Sequence, residues 1–136
     1  MPRALLLLTG IGLLAGCSSS SALVEQGATL YQANCQSCHG GSEGGTIRDI
    51  PPRHNANGHT WHHPDCVITE IVFDGFEDPL APEDKPKMPA FRGQLTTDEV
   101  ATIEAYIKTW WTDSQRDFQR QVTQQSCQAG GADEHR

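Results

Sequence analysis

The chain has 136 residues, which is enough for one domain of ordinary size and too few for two independent cores. Its formal net charge of -7 argues against a nucleic-acid-binding surface and leaves basic partners open. Only 37% of the residues are hydrophobic. A domain this lean usually needs a metal, a cofactor or disulfides for stability, and the five cysteines and six histidines are candidates to supply one.

Residues 1–16 are predicted to be a signal peptide. One arginine is followed by an apolar run over 4–15, which is too short to cross a bilayer as a helix. The run ends in LAGC, whose last residue is Cys17, and four serines follow. This pattern resembles the bacterial lipobox, in which cleavage occurs before a lipidated cysteine.

The lipobox resemblance implies a lipoprotein anchored through Cys17 by acyl chains, with a Ser-rich tether over 17–22. It also implies a location in the bacterial cell envelope, facing the periplasm, and Ser18 favours the outer membrane. Two alternatives stay open, an ordinary secretory signal with a chance cysteine and a short internal hydrophobic segment.

The first predicted helix covers about 22–35 and ends in a CxxCH motif formed by Cys35, Cys38 and His39. This motif is the signature of covalent c-type haem attachment, because two thiols one turn apart meet the two vinyl groups of the porphyrin while the imidazole reaches the iron. A zinc half-site would need a second Cys/His pair, and a thioredoxin-type site would need a βαβ context. The sequence offers neither, so we predict one covalent haem c with His39 as an iron ligand.

Residues 40–63 are rich in Gly, Pro, Asn and His and are predicted to form a long loop. Four histidines and a tryptophan crowd into its second half. One interpretation is that they hydrogen-bond a haem propionate; a second is a site for copper or zinc, and a third is a replacement axial ligand for the iron. The residues concerned are His54, His59, Trp61, His62 and His63.

A second helix and a second loop are predicted in the middle of the chain. Pro64 at the first helical position and Asp65 in the first turn open a helix that ends at Gly75. Residues 76–95 return to a Pro-rich loop with acidic side chains, which form either a solvated face or a docking patch for a basic partner. The acidic residues are Glu77, Asp78, Glu83 and Asp84.

Two more helices are predicted in the last third of the chain. Thr96 and Glu99 have the spacing of a capping box. The helix that follows has apolar residues at helical spacing, and a second cap at Thr112 begins a short amphipathic helix. Their predicted apolar faces are Val100, Ile103, Ile107 and Trp110, then Phe118 and Val122.

Cys66 and Cys127 are the cysteines that remain once the others are assigned. In an oxidising compartment an even remainder favours a disulfide, which would close a loop of about sixty residues and contribute about 3–4 kcal/mol. The alternatives are a free Cys127 in a polar tail over 127–136, or intermolecular pairing.

The order of parts resembles that of the class I cytochrome c family, with Cys35, Cys38, His39, Met88 and Pro89 as the specific features. The resemblance implies an all-α fold of three to five helices around one covalent haem, in a domain over 23–126. It implies that Met88, in a Met-Pro loop, is the second axial ligand of the iron. It further implies that the carbonyl of Pro51 or Pro52 orients the His39 ring. Arg53 and Trp61 are further candidates for the haem environment.

The resemblance implies a one-electron carrier that works with redox partner proteins and needs no small-molecule substrate, rather than an enzyme. The chain would then be a partner or a subunit of an oxidoreductase. A thioether ligand favours reduced iron, so His/Met ligation raises the potential. Two rivals remain, a haem-containing copper-binding or redox-sensing protein that uses the His54 to His63 loop, and a reductase or peroxidase with an open distal position.

Overall fold

Five α-helices and one 3-10 turn make up the regular structure of the computed structural model, which describes residues 18–44, 51–77, 79 and 87–127. Within these residues there is no strand, only two isolated bridges, Phe76 with Met88 and Arg92 with Leu95. The predicted all-α fold is therefore confirmed. The helices are α1 Ser18–Asn34, α2 Gln36–His39, α3 Asp65–Asp74, α4 Thr97–Lys108 and α5 Asp113–Cys127, and the 3-10 turn is Thr60–His62.

The ends of the chain differ from expectation where the structure describes them. Helix α1 begins at Ser18, so the serines expected in a tether over 17–22 are already helical. Serine is well suited to a helix N-terminus, where its hydroxyl can satisfy backbone N–H groups. Cys127 is the last residue of α5 rather than the first of a polar tail. The predicted signal peptide, Cys17 and residues 128–136 lie outside the described residues.

The close crossing of α1 and α4 is the main helix contact. Gly27 is buried there, and a Cβ atom on it would lie 1.9 Å from the Thr102 carbonyl oxygen. One turn further along α1, Tyr31 is 1% exposed and meets the rings of Tyr106 and Trp110 edge-on, with centroids 5.7 and 5.2 Å apart. The absence of a side chain at Gly27 lets the two backbones approach, and the aromatic rings fill the space beside them.

Helix α4 supplies three of the seven core-cluster residues and follows its sequence prediction. The capping box is present, with the Glu99 amide donating to the Thr96 hydroxyl at 3.2 Å and the Thr96 amide donating to the Glu99 carboxylate at 2.8 Å. The predicted apolar stripe is buried except for Trp110, which is half-buried. The core cluster consists of Tyr31, Phe91, Leu95, Val100, Ile103, Ile107 and Trp111.

Helix α3 is bounded nearly as expected. Pro64 is its N-cap with an extended backbone, not its first helical residue, and Asp65 begins the helix. Gly75 ends it with φ 75°, a left-handed value that glycine adopts readily. The Phe91 amide then donates to the Val72 carbonyl at 3.0 Å, which ties the segment after Met88 to the last turn of α3.

Helix α5 is capped as predicted but buries a different face. The Thr112 amide donates to the Gln115 side-chain oxygen at 3.0 Å, and the Gln115 amide donates to the Thr112 hydroxyl at 3.3 Å. The expectation of an apolar face is wrong, because Phe118 is 42% exposed whereas Gln119 is 3% exposed. The surface under α5 presents backbone carbonyls, which a glutamine amide can satisfy and a phenyl ring cannot.

Cys66, in the first turn of α3, and Cys127, at the end of α5, form a disulfide with Cα atoms 5.7 Å apart. The bridge joins residues 61 positions apart in sequence. None of the helices within the described residues combines the length and the apolar character that a membrane crossing requires.

A buried carboxyl group lies between α3 and α4. Glu104 is 4% exposed and accepts a hydrogen bond from the Thr69 hydroxyl at 3.2 Å, with the Lys108 ammonium 3.7 Å away. The same ammonium lies closer, at 2.6 Å, to the Asp65 carboxylate. Burial, and then the charge of Asp65, raise the pKa of Glu104 from 4.5 to about 8, against the opposing effect of Lys108.

We expect Gly27→Ala to lower the free energy of unfolding by about 2 kcal/mol or more, because the added methyl group forces α1 and α4 apart. Alanine is the better helix former by about 1 kcal/mol, so a loss of stability would show that the crossing dominates. Urea unfolding of the haem-loaded protein measures the change. Gly41→Ala is the control, since a Cβ atom there meets nothing within 4 Å. Equal effects of the two substitutions would contradict this account.

We expect Glu104→Gln to flatten the pH dependence of stability. The folded state holds the Glu104 proton more tightly than the unfolded chain does, so this contribution to stability is complete below pH 4.5 and is lost as the pH rises through about 8. The advantage of wild type over the variant should therefore shrink from about pH 5 to about pH 9. Urea unfolding across this range is the measurement. Parallel profiles for the two proteins would contradict the raised pKa.

Candidate functional site

The CxxCH motif occupies the single turn that follows α1. Cys35 is the N-cap of α2, and the His39 amide donates to its carbonyl at 3.0 Å, so both cysteines and the histidine share one helical turn. Cys35 is half-buried, Cys38 is exposed, and neither forms a disulfide. Burial, and then the nearby Cys38, raise the pKa of Cys35 in its thiol form to about 11.

The orientation of His39 is set by a backbone carbonyl from the following loop. His39 is only 6% exposed, and its Nδ1 lies 2.6 Å from the Pro52 carbonyl oxygen. A carbonyl can only accept, so Nδ1 carries the proton and the lone pair is on Nε2. Of the two prolines that the resemblance left open, the structure therefore selects Pro52. Pro51 and Arg53 flank it and are half-buried.

A second imidazole lies against the first. The rings of His54 and His39 are stacked, with centroids 4.2 Å apart and 27° between their planes. His54 Nδ1 is 2.8 Å from the Thr60 hydroxyl oxygen. Burial, followed by the proximity of His39 and His59, lowers the pKa of His54 to about 3, so this ring is neutral at physiological pH. His54 thus packs beside the motif rather than joining the other loop histidines.

The remaining loop residues are spread over the 3-10 turn. His59 and His63 meet edge-on with centroids 5.4 Å apart, whereas His62 lies against Trp61 with centroids 3.6 Å apart. The Trp61 indole N–H donates to the Gly58 carbonyl at 2.9 Å, within the loop. Across the described residues, which include all four loop histidines, no three His, Cys, Asp or Glu side chains are grouped to hold a metal ion.

Met88 is held by its backbone against the end of α3. Its amide donates to the Phe76 carbonyl at 2.9 Å, and its own carbonyl accepts from the Phe76 amide at 3.1 Å. A Cβ atom on Gly75 would lie 2.6 Å from the Met88 carbonyl oxygen, so glycine is required for this close approach. The half-buried Met88 side chain packs against the core cluster.

Part of the acidic loop, Asp78, Glu83 and Asp84, lies outside the described residues.

Two residues that the sequence analysis missed also belong to the site. The Trp111 indole N–H donates to the His54 carbonyl at 2.7 Å, and the Gln115 side-chain amide donates to the Ala56 carbonyl at 2.8 Å. Both bonds join residues nearly sixty positions apart in sequence, at separations of 57 and 59. Their only sequence signal is a spacing of four residues, with Trp111 just before α5 and Gln115 in its first turn.

The donor set fits a haem c. Two thiols lie one turn apart, and the buried imidazole of His39 has its metal-binding lone pair on Nε2 because Pro52 takes the Nδ1 proton. Met88 supplies a thioether from the Met-Pro loop, next to an apolar core. Soft sulfur and imidazole ligands within apolar surroundings are what haem iron of this type requires.

Comparison with known proteins also points to a haem-binding family. The family profile described as cytochrome c matches residues 24–111. Cytochrome c6 from Nostoc sp. is 27% identical over 106 residues, which cover 75% of this chain and 86% of the relative. No solved structure matches the chain significantly.

The family match covers most of α1, the CxxCH motif, the Met-Pro loop and all of α4, and it ends before Gln115. Members of this family carry a covalently bound haem c and transfer electrons, so the predicted cofactor and the predicted electron-transfer role are confirmed. The chain belongs to the class I cytochrome c family.

Proposed function

We propose that this cytochrome is a lipid-anchored one-electron carrier whose haem iron is ligated by His39 and Met88. The observation that carries the proposal is the 2.6 Å contact between His39 Nδ1 and the Pro52 carbonyl. It fixes the imidazole tautomer that can ligate through Nε2, in the same turn as the two thiols. When bound, the haem supplies a reversible one-electron iron couple.

The chain's own residues tune that couple. Hydrogen bonding from Nδ1 to a carbonyl increases the basicity of the imidazole, which stabilises oxidised iron. The Met88 thioether acts in the opposite direction, because a soft neutral ligand favours reduced iron. Met88 is the one thioether that remains after removal of the predicted signal peptide, since Met1 is the other methionine.

The iron would be closed to substrates. His39 and Met88 would hold it, so that no coordination position would be left for substrate chemistry, and the haem would supply electron exchange with redox partner proteins. His54 is stacked on His39, and among the described residues no three His, Cys, Asp or Glu side chains are grouped to hold a second metal ion.

Lipidation of Cys17 would hold the carrier at the membrane surface, with its domain on the periplasmic side. The support for this part is the LAGC sequence at the end of an apolar run. Helix α1 begins directly after Cys17, at Ser18, so an anchored Cys17 would leave little slack between the lipid and the domain. Acidic loop residues such as Glu77 favour partners with a basic surface.

Replacement of Met88 tests the axial ligation. In the oxidised, haem-loaded protein we expect Met88→Ala to abolish the weak sulfur-to-iron charge-transfer absorption and to lower the midpoint potential, because a soft ligand to reduced iron is lost. Optical spectra and redox titration measure both effects. Lys87→Ala is the matched control, since that side chain is 64% exposed and pairs with Glu77 at the surface. An unchanged charge-transfer band in Met88→Ala would contradict ligation by Met88.

Replacement of Cys17 tests the anchor. We expect wild type expressed in a Gram-negative host to sediment with membranes and to incorporate labelled fatty acid, because two or more acyl chains make membrane binding stable. Cys17→Ala should lose the label and should no longer be extracted with the lipid-modified proteins. Ser20→Ala, three residues away, should behave like wild type. Labelling of Cys17→Ala would contradict the predicted site.

A further inference from the structure

The last part of the chain carries a stripe of side chains at intervals of four residues. Residues spaced in this way lie on one face of a helix. Most of the stripe is polar, so it does not follow the apolar pattern by which a packed helix face is usually recognised. We call it the α5 stripe, and its members are Gln115, Gln119, Thr123 and Cys127 on α5, together with Trp111, which lies two residues before the helix begins.

Each member of the α5 stripe contacts one stretch of chain, and the contacts follow the same order along both segments. Four are hydrogen bonds to backbone atoms and the fifth is covalent. The pairs are Trp111 Nε1 to the His54 carbonyl at 2.7 Å, Gln115 Nε2 to the Ala56 carbonyl at 2.8 Å, Gln119 Nε2 to the His63 carbonyl at 3.3 Å, the Asp65 amide to the Thr123 hydroxyl at 3.0 Å, and the Cys66–Cys127 disulfide.

The stretch that the stripe contacts also carries the groups that surround His39. We call residues 52–63 the proximal loop. Its Pro52 carbonyl accepts from His39 Nδ1, its His54 ring stacks on His39, and its Thr60 hydroxyl holds His54 Nδ1. The position of the proximal loop therefore decides the direction and the strength of the contacts on the His39 ring.

We propose that the α5 stripe is a positioning device for the axial histidine, acting by holding the proximal loop in place. The proposal rests on the proposed function in that His39 is taken as an iron ligand. The family match ends at residue 111, so α5 and four of the five stripe residues lie beyond it. The device is thus an addition at the C-terminal side of the matched domain.

Gln119 is the central member of the stripe and the most informative to change. It is 3% exposed, and its side-chain NH2 group, which has two hydrogens, faces three acceptors, the His63 carbonyl, the Asp65 carboxylate and the Thr123 hydroxyl. Removal of this donor takes away the hydrogen bond to the His63 carbonyl, whereas the Asp65 carboxylate keeps its contact with Lys108, and the lost bond loosens the loop from α5. A looser loop weakens the hydrogen bond from His39 to Pro52, makes the imidazole less basic and so destabilises oxidised iron.

The experiment compares Gln119→Met with wild type, both as full-length, haem-loaded protein. Methionine has nearly the same length as glutamine but donates no hydrogen bond. We expect faster amide hydrogen exchange in the proximal loop, a more positive midpoint potential and shifted resonances of the His39 ring protons. Gln124→Met, at an exposed position of the same helix, is the control and should change none of these.

Gln115→Glu provides a second variant in case Gln119→Met folds poorly. Glutamate keeps the oxygen that accepts from the Thr112 amide, so the cap of α5 remains, while the donor to the Ala56 carbonyl is lost. The expected changes are the same as for Gln119→Met. Faster loop exchange together with unchanged potential and unchanged His39 resonances in both variants would overturn the proposal, as would unchanged loop exchange.

These readouts separate the two proposals. Absence of the sulfur-to-iron band in wild type would refute Met88 as a ligand, yet loop exchange and the His39 resonances would still report on the α5 stripe. Conversely, a normal wild-type spectrum with no response to either glutamine variant would refute the positioning role alone.

Discussion

The hydrogen bond from His39 Nδ1 to the Pro52 carbonyl is the contact on which the rest of this site depends. It joins the helical turn that bears both thiols to a loop 13 residues later, and it decides which imidazole nitrogen keeps the proton. A ring in the other tautomer would turn its N–H toward the position where the iron must bind. The loop must therefore be held at a defined place, and Trp111 and Gln115 hold it through their hydrogen bonds to the His54 and Ala56 carbonyls.

This chain has few apolar side chains, so it holds the loop that orients His39 through polar and covalent contacts rather than through a larger core. Gly27 allows α1 and α4 to approach closely, which makes the most of the few core side chains available. Beyond α4, the surface under α5 is buried by glutamine and threonine side chains that satisfy backbone groups, and the Cys66–Cys127 bridge closes the end of that helix. Buried polar groups that are fully paired can define one arrangement of chain segments, because any displacement leaves partners unsatisfied.

The sequence alone predicted those features that depend on residues close together in the chain. The cap formed by Thr96 and Glu99, the stop at Gly75 and the CxxCH motif all depend on residues a few positions apart, and the structure has both helix ends where they were predicted. The sequence did not predict contacts between residues that lie far apart in the chain. The choice between Pro51 and Pro52, and the burial of Gln119 in place of Phe118, depend on backbone groups whose positions exist only after folding. His54 is the clearest case, because its residue type suggests metal binding whereas its environment makes it a packing partner of His39.

Helix α3 connects the two sides of the site. Its N-terminal end meets the α5 stripe through Asp65 and Cys66, and its C-terminal end receives the segment that carries Met88. Its ten residues correspond to a length of about 15 Å. The first turn of α3 contacts the α5 stripe, which holds the proximal loop, and its last turn contacts the segment that carries Met88. A rigid helix with these two contacts sets the position of the proximal loop relative to the Met88 segment. A displacement of α5 would therefore reach the Met88 segment through α3 as well as reaching His39 through the proximal loop.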